Sequence, residues 1–250
     1  MRGIEHHAAS WVGVSSGRWL PRPLSCRIVG VRVALITACY GDYDPVRDLP
    51  EWHGFDEAVC VTDRADLVGD GWSPFVEWRD EHPRMAAKRP KMMPWLYTTA
   101  DAAVWLDASF EITDPKFRPW VDAHLARDDF VVWTHPEGRI DFADEAAVCW
   151  DWPKYRDYDM RGQVQHYLQQ GMPRRWGLFA CGTVGYVFTP QVKRLGARWY
   201  DEQVKWSVQD QVSLPFLLWD SGLPFGTWQA NEYDNPYLKL RWDERPRPEA

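Results

Sequence analysis

Short apolar runs alternate along the chain with longer segments in which apolar residues recur at a helical period. Each run is rich in β-branched or aromatic residues and stops at a polar or turn-forming residue, as buried strands do. Strands are therefore predicted at 31–37, 57–63, 72–78, 102–107, 130–134, 182–189 and 223–228. Helices are predicted at 92–103, 117–127, 143–150, 161–170, 191–207 and 208–219.

This alternation predicts an α/β fold with a Rossmann-like, mostly parallel central sheet and helices on both faces. In such sheets the ligand lies outside the carboxyl ends of the strands. The loops predicted at those ends carry Tyr40, Asp63, Asp107 and His135. We therefore expect these side chains near a ligand site.

The chain has 250 residues, of which 45% are apolar, enough for one well-filled core. Residues 31–240 are predicted to form a single domain. Residues 1–30 lack the apolar stretch of a signal peptide and are predicted to be a disordered N-terminal tail, with a C-terminal tail at 241–250.

Charge and cysteine usage narrow the function classes. The formal net charge is −7, whereas proteins that bind nucleic acid usually present a basic face, so no nucleic-acid partner is expected. The five cysteines contain no C-x-x-C pair, which argues against a disulfide framework and a structural zinc site and favours the cytoplasm. No apolar run approaches the roughly 20 residues of a membrane span. The 17 tryptophans fit either core packing or stacking on sugar rings.

Asp107 and Ser109 follow the clearest predicted strand and are candidates for metal binding and donor binding, respectively. A carboxylate at a strand exit can bind Mg²⁺ or Mn²⁺, hard cations that also reach substrate phosphates. His135, after the next predicted strand, could add a nitrogen ligand. The alternative for Asp107 is that it caps the following turn, and a lone histidine is more often a structural residue.

A second group of candidates would bind the donor. Clustered basic side chains suit a diphosphate by charge and hydrogen bonding, although a solvated basic face is the alternative. Asp63 could bind a ribose hydroxyl or a base edge, or could cap a turn. The full set of expected donor-binding residues is Thr37, Tyr40, Asp63, Arg84, Lys88, Lys91 and Ser109.

Asp210 and Gln211 lie in a polar segment that precedes an apolar predicted helix. They could cap that helix or face the hydroxyls of a sugar, because such polar pairs orient ligands in mostly apolar pockets. Glu145, Gln165 and His166 are weaker candidates. Phosphate-binding loops, dinucleotide fingerprints, nucleophile elbows and H-E-x-x-H motifs are absent from the sequence.

Taken in order, several pieces of the sequence resemble a glycosyltransferase-like family that includes plant mucilage-related proteins and bacterial and viral relatives. The resemblance covers about residues 35–222. Its pieces are Tyr40-Gly41-Asp42-Tyr43-Asp44, Val61-Thr62-Asp63, Lys88-Arg89-Pro90-Lys91, Val104-Trp105-Leu106-Asp107-Ala108-Ser109, Gln165-x-Tyr167-x-x-x-Gly171-Met172-Pro173, Gly177-Leu178-Phe179, Trp199-Tyr200 and Ser207-Val208-Gln209-Asp210-Gln211-Val212-Ser213.

The resemblance implies a GT-A-like fold and transfer of a sugar from a nucleotide-sugar donor. It implies that Asp107 is a metal or donor-phosphate residue and that Asp210 and Gln211 lie at the donor sugar or the catalytic centre. Enzymes of the GT-A type carry a D-x-D motif at this place, and here Ser109 stands at its second acid.

We therefore expect a glycosyltransferase assisted by Mn²⁺ or Mg²⁺, with a carbohydrate, glycolipid or protein as acceptor. Two alternatives stay open. One is a non-catalytic module that binds carbohydrate or nucleotide, favoured by the missing second acid and the many tryptophans. The other is a hydrolase of a phospho- or glyco-compound, permitted by the carboxylates and His135.

Overall fold

The structure, a computed structural model, describes residues 30–41 and 46–241. The predicted terminal tails lie outside this part of the chain, except for Gly30 and Arg241, and so does the turn at 42–45. Nine strands are described: β1 (Val33–Cys39), β2 (Glu57–Thr62), β3 (Ser73–Val76), β4 (Ala102–Leu106), β5 (Phe110–Ile112), β6 (Phe130–Thr134), β7 (Phe179–Val187), β8 (Gly226–Thr227) and β9 (Leu238–Leu240).

Seven of these strands form a central sheet in the order β3-β2-β1-β4-β7-β6-β8. All pairings within it are parallel except those of β7, which runs antiparallel to both β4 and β6. The prediction of an α/β fold with a mostly parallel sheet is therefore confirmed. The short strands β5 and β9 pair separately and antiparallel, and the sequence pattern missed both.

In the same described part of the chain, seven α-helices surround the sheet: α1 (Pro83–Ala86), α2 (Lys88–Met92), α3 (Phe117–Leu125), α4 (Phe142–Trp150), α5 (Met160–Gln169), α6 (Pro190–Lys205) and α7 (Asp210–Ser221). Alternate residues of β1 face opposite sides: Ala34 and Ile36 pack with α2 and α4–α7, whereas Val33 and Leu35 pack with α3 and the small sheet. Both faces of the central sheet are therefore buried, as expected of a parallel sheet.

The prediction of one helix over 92–103 is wrong. The helix α2 lies earlier, and it contains Pro90 as its third residue. Proline is tolerated there because the first backbone N–H groups of a helix have no partner within the helix. Pro94 then begins a single 3₁₀ turn, Pro94–Leu96, and five residues without regular structure lead from it into β4.

A close helix contact fixes the position of α2. Gly196 of α6 approaches α2 so closely that an added Cβ would lie 2.1 Å from the carbonyl oxygen of Met92. A side chain at this position would push the two helices apart. The contact holds α2, with Lys88 and Lys91, against the end of the sheet where β1 and β4 stop.

Candidate functional site

A cavity of about 620 Å³ opens at the carboxyl ends of β1, β4 and β6. It receives most of the site residues predicted from the sequence. Those that line it are Tyr40, Arg84, Lys88, Lys91, Asp107, Ser109, His135, Asp210 and Gln211. The structure therefore brings together basic and acidic residues that lie up to 126 positions apart in the chain, from Arg84 to Asp210.

Two predicted donor-binding residues are not among the residues that line this cavity. Thr37 is buried inside β1, and its hydroxyl has no hydrogen-bond partner among the described residues. Asp63 accepts the Gly41 backbone N–H at 2.9 and 3.1 Å, so its carboxylate caps the turn after β1. Gly41 has a φ of 67°, a backbone conformation that glycine adopts without strain. The contact between Asp63 and Gly41 corresponds to the alternative in which Asp63 caps a turn.

Three charged side chains from two helices form the centre of the cavity wall. The ammonium of Lys91 lies 2.6 Å from Asp210 Oδ2, and that of Lys88 lies 3.0 Å from the same oxygen. Lys91 and Asp210 are both almost completely buried. One carboxylate thus accepts from two ammonium groups in a largely buried site, where such contacts are stronger than on a surface.

Lys91 also links this pair to Asp107. Its ammonium lies 3.3 Å from Asp107 Oδ1, which also accepts the Trp105 indole N–H at 2.5 Å. The main chain of Lys91 is held independently, because its carbonyl accepts the Tyr186 hydroxyl at 2.6 Å. Lys91 is therefore fixed at both ends, between the predicted metal residue and the predicted catalytic residue.

The pKa values in this group follow from burial and pairing. Burial alone would raise the pKa of Asp210, but the ammonium groups of Lys88 and Lys91 outweigh it and hold that pKa well below its usual range. Burial alone would lower the pKa of Lys91, but the carboxylates of Asp107 and Asp210 outweigh it and raise that pKa. Both groups are therefore charged at neutral pH.

Local sequence explains this arrangement. Lys88 and Lys91 are three residues apart on α2, a spacing that places two side chains on the same face of a helix. Asp210 is the first residue of α7, where the positive end of the helix dipole favours a carboxylate. Asp107 directly follows β4, and its N–H is anchored to the Gly182 carbonyl of β7 at 2.8 Å.

Glu232 also lines the cavity, although no pattern in the sequence indicates it. It lies between β8 and β9, is 3% exposed, and accepts the Gly182 N–H at 2.9 Å. Burial, followed by the nearby charge of Asp107, raises the pKa of Glu232 to about 8. An added Cβ at Gly182 would lie 2.6 Å from this carboxyl group and 2.6 Å from the Phe110 ring, so any side chain there would displace them. No local motif marks Glu232, because its contact with Gly182 forms only when the segment after β8 folds back against β7.

His135 takes part in a second polar cluster. Its Nε2 lies 3.2 Å from Arg139 Nη2 and 3.8 Å from Glu145 Oε2, and its Nδ1 accepts the Glu137 N–H at 3.3 Å. Burial lowers the pKa of His135. Both ring nitrogens already face protein partners, so the structure does not present His135 as an open metal ligand. Glu145 is held by Arg139 at 2.9 Å.

The weaker candidates on α5 lie elsewhere. Gln165 is exposed, and the ring of His166 packs 5.5 Å from that of Trp206. By contrast, Gln209 lines the cavity and donates to Glu145 Oε1 at 2.8 Å while accepting from the Tyr155 hydroxyl at 3.2 Å.

An aromatic and cationic group completes the wall between α4 and α5. The rings of Trp152 and Tyr155 are nearly parallel, with centroids 6.2 Å apart, and the ammonium of Lys154 lies 4.8 Å from each centroid. The Lys154 carbonyl accepts from Arg84 at 3.5 Å. All four side chains line the cavity, and Trp152 is 44% exposed.

The residues around Asp107 fit a cation that is shared with a substrate rather than held by protein alone. Among residues 30–41 and 46–241, no three His, Cys, Asp or Glu side chains are placed to hold a metal ion. Cations that bridge phosphates usually take only one or two carboxylates from the protein. Asp107 meets that need, because its side chain is 39% exposed and Ser109 lines the same cavity.

Every helix in the described part of the chain is too short or too polar to span a lipid bilayer. A scan of the sequence against models of known protein families finds no match. A search of curated protein sequences likewise finds no significant match. The functional assignment therefore rests on the geometry of the site and on the resemblance described above.

Proposed function

We propose that this chain is a glycosyltransferase with a GT-A-like fold that transfers a sugar from a nucleotide-sugar to a carbohydrate, glycolipid or protein acceptor. The observation that carries the proposal is the convergence of Lys88, Lys91, Asp107 and Asp210 on one cavity at the carboxyl ends of the strands. These residues belong to motifs that carry the resemblance, although they come from three separate segments.

The position of the cavity supports nucleotide binding. In the sheet, β2 and β3 lie on one side of β1, whereas β4 and the later strands lie on the other, so the strand order reverses between β1 and β4. The cavity is lined by residues that follow both of these strands. In open sheets with helices on both faces, nucleotides bind at such a point. A volume of about 620 Å³ is within the range of small-molecule sites.

The charges support cleavage of a sugar–phosphate bond. In the proposed step an acceptor oxygen bonds to the anomeric carbon, the bond from that carbon to the phosphate oxygen breaks, and the nucleoside diphosphate leaves with the electron pair. The acceptor proton is released to solvent. Lys88 and Lys91 would offset the charge that develops on the leaving group, and because they are already fixed they need little rearrangement.

We assign Asp210 an orienting role in preference to proton transfer. Its carboxylate is held by two ammonium groups, and a carboxylate with so low a pKa is a weak base. Gln211 lines the cavity beside it, and its Oε1 is buried without a hydrogen-bond partner among the described residues. Gln211 would thus have an amide oxygen available for a sugar hydroxyl.

In this proposal Asp107, with Ser109 beside it, would hold Mn²⁺ or Mg²⁺. When bound, such a cation supplies positive charge to the oxygens of the diphosphate.

A cytoplasmic location also stays a prediction.

Donor binding is tested by thermal unfolding with UDP-, GDP- and ADP-sugars, with and without Mn²⁺. We expect one nucleotide to raise the melting temperature by about 5–10 °C at a hundredfold excess over its Kd, because ligands of the folded state stabilise it. Asp107→Asn should remove the part of the shift that requires Mn²⁺.

Asp122→Asn is the matched control. Asp122 is similarly exposed and also pairs with a cation, Arg118, but it lies outside the cavity. It should retain the full shift. If no nucleotide-sugar shifts the wild type, the proposed function is wrong.

Ser109, at the position of the second acid, favours one alternative: a module that binds a nucleotide-sugar without turning it over. Release of the nucleoside diphosphate separates the two functions. A transferase releases it faster when the acceptor is added, whereas a binding module shows saturable binding and no release. Hydrolysis of generic chromogenic glycosides or phosphoesters would instead indicate a hydrolase.

A further inference from the structure

The charged side chains of the cavity are mostly neutralised by one another. Lys88 and Lys91 are matched by Asp107 and Asp210. Two arginines of the wall are similarly paired, Arg139 with Glu137 and Glu145, and Arg241 with Glu111. Lys88 and Lys91 would thus contribute only part of the positive charge that suits a ligand with two or more negative charges, and further positive charge in the wall would add to theirs.

Lys154 differs from these residues. Among the residues that the structure describes, it forms no ion pair with a carboxylate, and yet it lines the cavity. Its ammonium is placed by the faces of Trp152 and Tyr155, which attract a cation without neutralising it. The cation is thus held in position with its charge available.

We propose that Lys154, with the adjacent Arg84, forms an anion subsite for the linked phosphates of the donor and of the leaving nucleoside diphosphate. The assignment rests on the proposed function and adds a binding residue that lies outside the motifs of the resemblance.

The surroundings of Lys154 indicate an anion rather than a neutral group. The Lys154 carbonyl accepts from Arg84 at 3.5 Å, which brings α1 against the Trp152–Tyr155 turn. Burial, followed by the positive charges of Arg84 and Lys88, lowers the pKa of Lys154. Like charges gathered in this way repel one another, and a bound anion relieves the repulsion. Paired phosphates suit several cationic groups because each offers charged acceptor oxygens.

Titration calorimetry on the full chain tests the subsite, with inorganic pyrophosphate and with UDP, GDP and ADP as probes. We expect Lys154→Gln to lower the affinities for pyrophosphate and for the nucleoside diphosphate that binds by about 10- to 100-fold, because one charge-assisted contact is lost. The loss should shrink as salt is raised, because added ions screen the interaction.

Lys205→Gln is the matched control, since Lys205 also lies 4.8 Å from an indole ring, that of Trp206, but outside the cavity. It should leave both affinities unchanged. Equal affinities in the wild type and Lys154→Gln would overturn the subsite, and so would a wild type that binds glucuronate but not pyrophosphate. Pyrophosphate binding that depends on Lys154, without binding of any nucleotide, would support the subsite and count against the glycosyltransferase.

Discussion

Asp210→Asn is expected to lower the free energy of unfolding by about 3–5 kcal/mol, because it leaves one buried and one half-buried ammonium group without their shared carboxylate. Lys88 and Lys91 lie 3.0 and 2.6 Å from Asp210 Oδ2, and the exposed fractions of the three side chains are 16, 5 and 9% in the order Lys88, Lys91 and Asp210. Urea unfolding at neutral pH, with the slope checked for two-state behaviour, measures the change.

Asp220→Asn is the control for this substitution. Asp220 lies at the other end of α7 and pairs with Arg198 at 2.6 Å, but both side chains of this pair are more than 40% exposed. Exposed pairs contribute about 0–1 kcal/mol. A loss in Asp210→Asn no larger than that in Asp220→Asn would contradict the account of the buried ion pair.

The effect of Asp210 should depend on pH in a defined direction. Its pKa is lower in the folded protein than the ordinary value of 3.8, so the unfolded chain takes up the proton first as the pH falls. The stabilisation by Asp210 is therefore present above that value and is lost below it. The difference between wild type and Asp210→Asn should narrow as unfolding is measured at pH values below about 4.

Glu232→Gln is expected to stabilise the folded protein at alkaline pH. The pKa of Glu232 rises from 4.5 to about 8 on folding, so ionisation of this buried group opposes folding. Between those values the folded protein retains a proton that the unfolded chain has lost, and stability falls as the pH rises. The full cost, present above pH 8, is at most about 5 kcal/mol.

Unfolding curves for wild type and Glu232→Gln at several pH values from 4.5 to 9 check this prediction. Near pH 4.5 the two proteins should have equal free energies of unfolding, since glutamine can still accept the Gly182 N–H. The two free energies should then diverge up to about pH 8. Glu51→Gln, at an exposed position, provides the control and should follow the wild type throughout. A constant difference between Glu232→Gln and wild type at all pH values would contradict the expectation.

The periodicity of the sequence predicted most of the central sheet, because buried parallel strands are short apolar runs bounded by polar residues. β4 and β6 are the clearest cases. The same pattern does not indicate in which direction a strand runs, so the antiparallel orientation of β7 could not be predicted. A strand buried on both faces has the same composition in either direction. Pairing directions depend on contacts between distant segments, which local pattern does not report.

The candidate site shows a similar division. Asp107 was found because it follows a clear predicted strand, Lys91 because it belongs to a cluster of basic residues, and Asp210 because it lies in a polar segment before an apolar predicted helix. Glu232 and Lys154 were missed because each lies in an irregular connection, where no period or motif fixes the direction of a side chain. Asp63 illustrates the alternative that the sequence left open, since its strand-end carboxylate accepts a backbone N–H.

The double anchorage of Lys91 has a consequence for how fast the site can respond to a substrate. Its carbonyl is tied to Tyr186 of the central sheet, and its ammonium is tied to two carboxylates. A lysine in water must reorient both its chain and its hydration shell when a neighbouring charge changes, and that reorganisation adds to the activation barrier. Here the fold already holds the ammonium of Lys91 in position. Negative charge that moves onto a leaving group would therefore be stabilised with little reorganisation of the site.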